Sequence, residues 1–322
     1  MKEALMRSVG KNTIANRKAM SEMLLELARL DKDLVVLTSD SRGSASLNEF
    51  AKELPQQLIE VGIAEQNIVG IAAGLASAGK KPFVASPACF LSMRAIEQIK
   101  VDVAYSQMNV KLIGISGGIS YGALGMSHHS VQDLAVTRAI PGLDVFMPAD
   151  RHETKKMIAT VYETTRPAYI RIGRNAVEDV YASPAYTFEP GKAIMMKEGM
   201  DLTIIASGET VRVAMDTAME LSARHIDCRV LNMHTIKPLD EKAVLKAAAE
   251  TGCLMTIEEH SIFGGLGAAV AELVSQVTPV PMKIVGIPDE PAIAGTTAEV
   301  FAHYGITPLQ LVNDAAELVA RK

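Results

Sequence analysis

A few side chains in this sequence could do chemistry and stand in places where their type is unexpected. Glu65 is the first. In IEVGIAEQNIVGIAAGLASAG, residues 59–79, the polar trio Glu65, Gln66 and Asn67 interrupts a stretch that is otherwise almost wholly apolar or glycine after Glu60. A carboxylate there has two readings. It serves a helix N-terminus, where it meets the dipole and free N–H groups, or it is a buried catalytic carboxyl. The second feature is His128–His129 in GGISYGALGMSHHSVQDLA. Adjacent histidines cannot both face one small site, which argues against a metal pair. His128 is either an ordinary surface histidine or a group that donates to a developing alkoxide or shuttles a proton. Third come Arg17 in ANRKAM, Ser44 in TSDSRGS and Arg174 in YIRIGRN. Guanidinium forks suit phosphate, although each arginine taken alone also reads as a solvated surface residue. Glu258, Glu259 and His260, in TIEEHSIFGGLG, have the composition of a catalytic cluster. They lie at a strand-to-helix junction and read better as a structural or interface group. The glycines in GGISYGALG do not spell GxGxxG, and GGLGAA lacks an acid on a following strand, so dinucleotide binding is poorly supported.

Short β-branched runs alternate with helical patterns and must position these groups. Strands are expected at 33–40, 57–62, 81–86, 110–116, 143–149 and 168–173, with helices at 17–31 and 93–106. Continuous apolar strands spaced by helices imply a parallel sheet covered on both faces. Glu65 then lies where strand 57–62 turns into a helix, on the side where open α/β sheets bind ligands. That helix is apolar nearly all round and should be buried. Periodicity lapses near residues 178–192, around Pro184 and Pro190, and a second alternation follows. The expected architecture is α/β with two doubly wound domains, at 1–185 and 186–322.

The 322 residues suit two domains, and 48% hydrophobic content gives ample core. A net charge of −5 with interspersed signs argues against nucleic acid as a partner. Three distant cysteines without a CxxC pair suggest neither disulfides nor zinc, which fits a reducing cytoplasm. The charged N-terminus lacks the apolar core of a signal peptide. The longest uncharged apolar run, 68–79, is shorter than the roughly 20 residues of a membrane span, so no membrane association is expected.

The stretch VGIAEQNIVGIAAGLASAGKKPFVAS resembles the pyrimidine-binding domain of transketolase-like thiamine diphosphate enzymes, and the resemblance covers essentially the whole chain. It implies that Glu65 is the glutamate that hydrogen-bonds the cofactor's aminopyrimidine and promotes the tautomer that activates the thiazolium. Phe90 is then the residue stacked on the pyrimidine, with Met93 beside it, and Asp40 is a cofactor-side acid. His128 takes the position of a histidine that contacts substrate. Arg17, Ser44 and Arg174 take phosphate-contacting positions, which implies a phosphorylated sugar. Two positions depart from the family pattern. Leu124 stands where many transketolases have an aspartate that reads a sugar hydroxyl, and Ser116 where a phosphate-binding histidine is usual. A hydroxyl facing Leu124 would lose its acceptor, so an altered or branched sugar phosphate is implied.

The family holds the diphosphate through Mg²⁺ with a GDG…N motif, and no GDG occurs in this sequence. The resemblance therefore implies the C-terminal subunit of a split transketolase, which transfers a two-carbon ketol unit only with an N-terminal subunit carrying that motif. The expected assembly is α2β2, with a homodimer in isolation. Alternatives are the β subunit of a 2-oxo acid dehydrogenase, a 1-deoxyxylulose-5-phosphate synthase-like enzyme, or an assembly subunit without activity.

Overall fold

The computed structural model describes residues 14–322. The first part of the charged N-terminal stretch, residues 1–13, lies outside the described residues. Six strands run parallel in the first sheet: β1 (Leu34–Thr38), β2 (Leu58–Glu60), β3 (Lys81–Pro87), β4 (Lys111–Ile115), β5 (Asp144–Phe146) and β6 (Ala168–Ile172). Every residue of β1, β4 and β6 is buried, as strands covered on both faces must be. Helices Asn16–Leu30 and Arg151–Tyr162 cover one face through Met20, Leu24, Ile158 and Val161. Helices Glu65–Ser77 and Ala88–Arg94, with the segment 96–105, cover the other through Ile68, Val69, Leu91, Ile99 and Val103.

The second sheet contains β7 (Ile194–Lys197), β8 (Leu202–Ala206), β9 (Cys228–Asn232), β11 (Leu254–Ser261) and β12 (Met282–Ile287). Its order is β12-β11-β8-β9-β7, parallel except for β7. The remaining strand, β10 (Thr235–Lys237), leaves this sheet. It pairs antiparallel with β5 and closes one edge of the first sheet, whose order is β10-β5-β6-β4-β3-β1-β2. One apolar core runs from Ile68 and Val69 in the first half to Ile205, Leu231, Met233 and Val244 in the second. Both halves are thus α/β with mostly parallel sheets, as the alternation predicts.

The segment 173–193 contains no helix or strand, yet it is held down. Asp150, the N-cap of Arg151–Tyr162, accepts from His152 N and Glu153 N within its own helix and from Val180 N and Tyr181 N in this segment. Tyr181 stacks on Tyr186 with ring centroids 4.0 Å apart.

Two expectations are corrected. The single helix at 93–106 is broken at Ala95 and continues as a π-helical turn over Ile99–Tyr105, a geometry that holds an extra residue per turn. The Glu65–Ser77 helix is not buried all round. Ile68, Val69, Ala72 and Ala73 are buried against the sheet, while Gln66, Asn67 and Gly74 are exposed and Ile71 and Leu75 half-buried. Among the described residues, its sheet-facing side is the one that is fully covered.

Candidate functional site

Glu65 is the first residue of the Glu65–Ser77 helix and is 4% exposed. The chain reaches it from β2 through Gly62, whose φ of +71° lets the backbone turn back over the strand end. Glu60 closes that turn. Its carboxylate accepts from Thr38 Oγ1 (2.5 Å), Asp40 N (2.7 Å) and Gly62 N (3.0 Å). Burial pushes the Glu60 carboxyl up, but these hydrogen bonds outweigh it and the pKa ends below its ordinary value. Glu65 opens onto a pocket of about 530 Å³, lined also by Ile63, Ala64, Gln66, Asn67 and Arg94.

A line of contacts runs from Glu65 across the ends of the parallel strands. Arg94 Nη1 lies 3.1 Å from Glu65 Oε2, and its guanidinium sits 4.0 Å from the Phe90 ring centroid. Phe90 meets His128 edge-on at 5.2 Å, and His128 meets Tyr121 edge-on at 5.4 Å. Ser127 Oγ holds His128 Nδ1 at 3.0 Å. The Tyr121 ring lies under the Arg174 guanidinium, 5.2 Å from its centroid. Arg17 ends the line. Its Nε donates to the Arg174 carbonyl (2.9 Å) and its Nη1 to the Ser44 carbonyl (2.8 Å). Burial and the neighbouring Arg174 charge lower the Arg17 pKa. The structure thus joins Glu65, Phe90, His128, Arg174, Arg17 and Ser44, which come from six separate stretches of sequence.

The other candidates lie off this line. Asp40 stands at the C-terminal end of β1 with φ +53°, its amide bound to Glu60 and its side chain exposed. Met93 and Leu124 are each 53% exposed. Ser116 is fully buried with φ +54°, and its Oγ has no partner. His129 is buried, with Nε2 bonded to the Gly122 carbonyl, and burial lowers its pKa. Arg94, Tyr121 and Glu60 were not singled out from sequence. Arg94 had a signal, since it stands four residues after Phe90, one helical turn away.

The two halves of the chain match known proteins. The transketolase pyrimidine binding domain matches residues 12–179, and the transketolase C-terminal domain matches residues 191–311. The chain belongs to the transketolase family. It is 52% identical to an apulose-4-phosphate transketolase subunit of Phocaeicola vulgatus, covering 96% of this chain and 99% of that one. It is 38% identical to the 6-deoxy-6-sulfo-D-fructose transketolase subunit SqwH of a Clostridium species, covering 95% of each. Among solved structures it resembles a split gene transketolase described as an inactive β4 tetramer, with TM-score 0.89, 38% identity, and coverage of 96% and 99%. It has the make-up of a split transketolase's C-terminal subunit.

In this transketolase chain the residues Glu258, Glu259 and His260 lie in the seam between the two sheets, all buried. Glu258 accepts from Leu266 N (2.7 Å) and Gly267 N (2.8 Å) and so caps the Leu266–Val277 helix. Glu259 accepts from Ile119 N (2.7 Å) and faces Arg171, whose Nη2 donates to the Glu259 carbonyl. His260 Nε2 receives Ala135 N at 3.3 Å. Arg171 also faces Asp133, which accepts from the Tyr169 hydroxyl at 2.7 Å. These side chains fasten the loop after β4 to the second half. Among the described residues, no group of three His, Cys, Asp or Glu is placed to hold a metal ion.

Proposed function

We propose that this chain is the pyrimidine-binding half of a two-subunit, thiamine diphosphate-dependent transketolase. In this reading it acts with a partner that carries the diphosphate- and Mg²⁺-binding domain, in an α2β2 assembly. The complex moves a two-carbon ketol unit from a ketose phosphate to an aldehyde or aldose phosphate. The observation that carries the reading is the contact line from a buried carboxyl, through an aromatic ring and a histidine, to two crowded arginines. An acid beside a flat apolar ring fits an aminopyrimidine.

When bound, thiamine diphosphate supplies the carbanion-stabilising centre for the C–C exchange. Glu65 gives the ring a carboxyl at a helix start, and Phe90 gives it a stacking face. Met93 and Asp40, the other two residues assigned to the cofactor, lie outside the lining of the Glu65 pocket. His128, fixed by Ser127 through Nδ1, presents a ring that hydrogen-bonds the reacting oxygen or moves a proton. Arg17, Ser44 and Arg174 form the phosphate end, reached from His128 through Tyr121. Leu124 and Ser116 would set which substrate is accepted, Leu124 from an exposed position and Ser116 from a fully buried one. They favour a ketose phosphate that does not need the hydroxyl and phosphate contacts usual at those positions. Apulose 4-phosphate is the first to test, because the 52%-identical relative is named for it.

The test is a donor–acceptor screen with the chain co-expressed with its candidate partner. Ketol transfer is expected from the complex and none from the chain alone. Glu65→Gln is expected to keep the assembly and lose turnover by a factor of about 10² or more, in the range seen when a general acid–base group is removed. Wild-type turnover by Glu65→Gln would exclude Glu65 from the chemistry.

A further inference from the structure

We propose that Arg94 is a built-in stand-in for the cofactor's pyrimidine. It fills the slot between Glu65 and Phe90 in the cofactor-free subunit and is expelled when the cofactor enters. The inference rests on the cofactor reading above and concerns how the slot is kept before binding.

The geometry carries it. A guanidinium is flat, cationic and edged with N–H donors, and it stacks on aromatic faces. An aminopyrimidine is also flat, edged with nitrogens, and suited to stacking. Arg94 makes both kinds of contact at once, with Nη1 3.1 Å from Glu65 Oε2 and its guanidinium 4.0 Å from the Phe90 centroid. These are the two groups assigned to the ring's edge and face. The same pocket that exposes Glu65 is lined by Arg94. The carboxyl cannot address a ring nitrogen at that oxygen, nor Phe90 stack on that face, while Arg94 stays.

Arg94 is also built to leave. Its side chain is about half exposed, whereas that of Glu65 is almost wholly buried. It stands at the end of the Ala88–Arg94 helix, just before the break at Ala95, with its side chain on the solvent side of the pocket. Among the described residues Glu65 is the one acid paired with Arg94, so no second carboxylate holds the guanidinium in place. A buried carboxyl without a partner is costly. Arg94 removes that cost in the cofactor-free chain and gives it back on binding, so it stabilises the cofactor-free state at the expense of affinity.

The sign of an affinity change tests this. Titration calorimetry of thiamine diphosphate with Mg²⁺ into the reconstituted two-subunit complex gives the Kd. Arg94→Met keeps the apolar stem and removes the guanidinium. It should tighten binding about three- to tenfold, the range for a half-exposed ion pair plus a cation–π contact. The same variant should lower the melting temperature of the cofactor-free chain but not that of the loaded complex. Arg94→Lys keeps the charge without the flat stack and should tighten binding by less. Unchanged or weaker binding in Arg94→Met overturns the inference and leaves Arg94 as a plain structural or cofactor-holding residue. A wild-type complex that binds no thiamine diphosphate overturns the cofactor reading itself, which is a different result.

Discussion

At the scale of single residues, Arg17 is both a contact and a brace. Two of its N–H groups bind the carbonyls of Arg174 and Ser44, so it sets the spacing between the loops after β1 and β6. Burial, and after it the neighbouring Arg174 charge, lowers the Arg17 pKa, so an anion arriving between the two guanidiniums would relieve both effects on Arg17. Arg17→Lys keeps a charge but loses the fork. It should raise KM for a phosphorylated donor about tenfold or more, and leave an unphosphorylated donor almost unaffected, by loss of charge-assisted hydrogen bonding. A rate loss equal for both donors would show that Arg17 acts on the fold alone. Leu124 gives a second prediction. Under the proposed function, in a site closed by the partner, a hydroxyl facing it would lose ~1–3 kcal/mol, about a five- to 150-fold handicap. Leu124→Asp should shift kcat/KM by that factor towards a standard aldose phosphate over its 2-deoxy analogue. No shift in the ratio would mean that Leu124 does not face the sugar. Glu65 was legible because three polar residues break an apolar run. Arg94 carried only a weak signal, because an arginine one turn after a phenylalanine is ordinary on any helix.

At the scale of elements, the Arg151–Tyr162 helix does more than cover the sheet. Glu153 in its first turn accepts from Ala149 N (2.7 Å), the Tyr181 hydroxyl (2.9 Å) and Asn232 Nδ2 (2.9 and 3.1 Å). One carboxyl thereby joins the first half, the connecting segment and β9. Burial pushes its pKa up to about 7, with help from the nearby Asp150 charge and against its hydrogen bonds. Asp150, Tyr181 and Tyr186 are the titratable groups around it, all raised by burial, with His152 next to Asp150. An unfolded glutamate loses its proton near ~4.3. The folded chain therefore binds more protons between about 4 and 7, and the stability this confers is present below that window and lost as pH rises through 7. Glu153→Gln cannot titrate. In urea melts at pH 5, 6.5 and 8, wild type should lose stability relative to the variant as pH rises, by at most ~1.4 kcal/mol per unit. A constant difference would exclude Glu153 as the titrating group. Long buried strands such as β4 and β11 were legible from composition alone. β10 was not, because three residues, TIK, carry no periodicity and only the partner strand β5 defines them.

At the scale of the whole molecule, the alternation of strands and helices correctly gave two α/β units, but not how firmly they are joined. The shared core from Ile68 to Val244, the Glu259–Arg171–Asp133 group and Glu153 all cross between them. These contacts are non-local, so no window of sequence displays them. Among the described residues no helix is long and apolar enough to cross a membrane. The exposed start of the half-bare Glu65–Ser77 helix and the outward side chain of Ile63 line the Glu65 pocket and leave it open to solvent. Calorimetry on the chain alone should therefore show no tight binding of Mg²⁺-thiamine diphosphate, and addition of the partner should restore it. Tight binding by the single chain would remove the need for a second subunit at this site.

The crossing of β10 into the first sheet has a consequence for how the protein is made. Translation delivers β5 well before Thr235–Lys237 leaves the ribosome, and until then β5 keeps an open edge able to pair with any other strand. The first half is thus born unfinished and is completed only by the polypeptide that follows. A gene cut in the connecting segment would yield a sticky first product, soluble only when both pieces are synthesised together, even though the cut falls between two units that look independent.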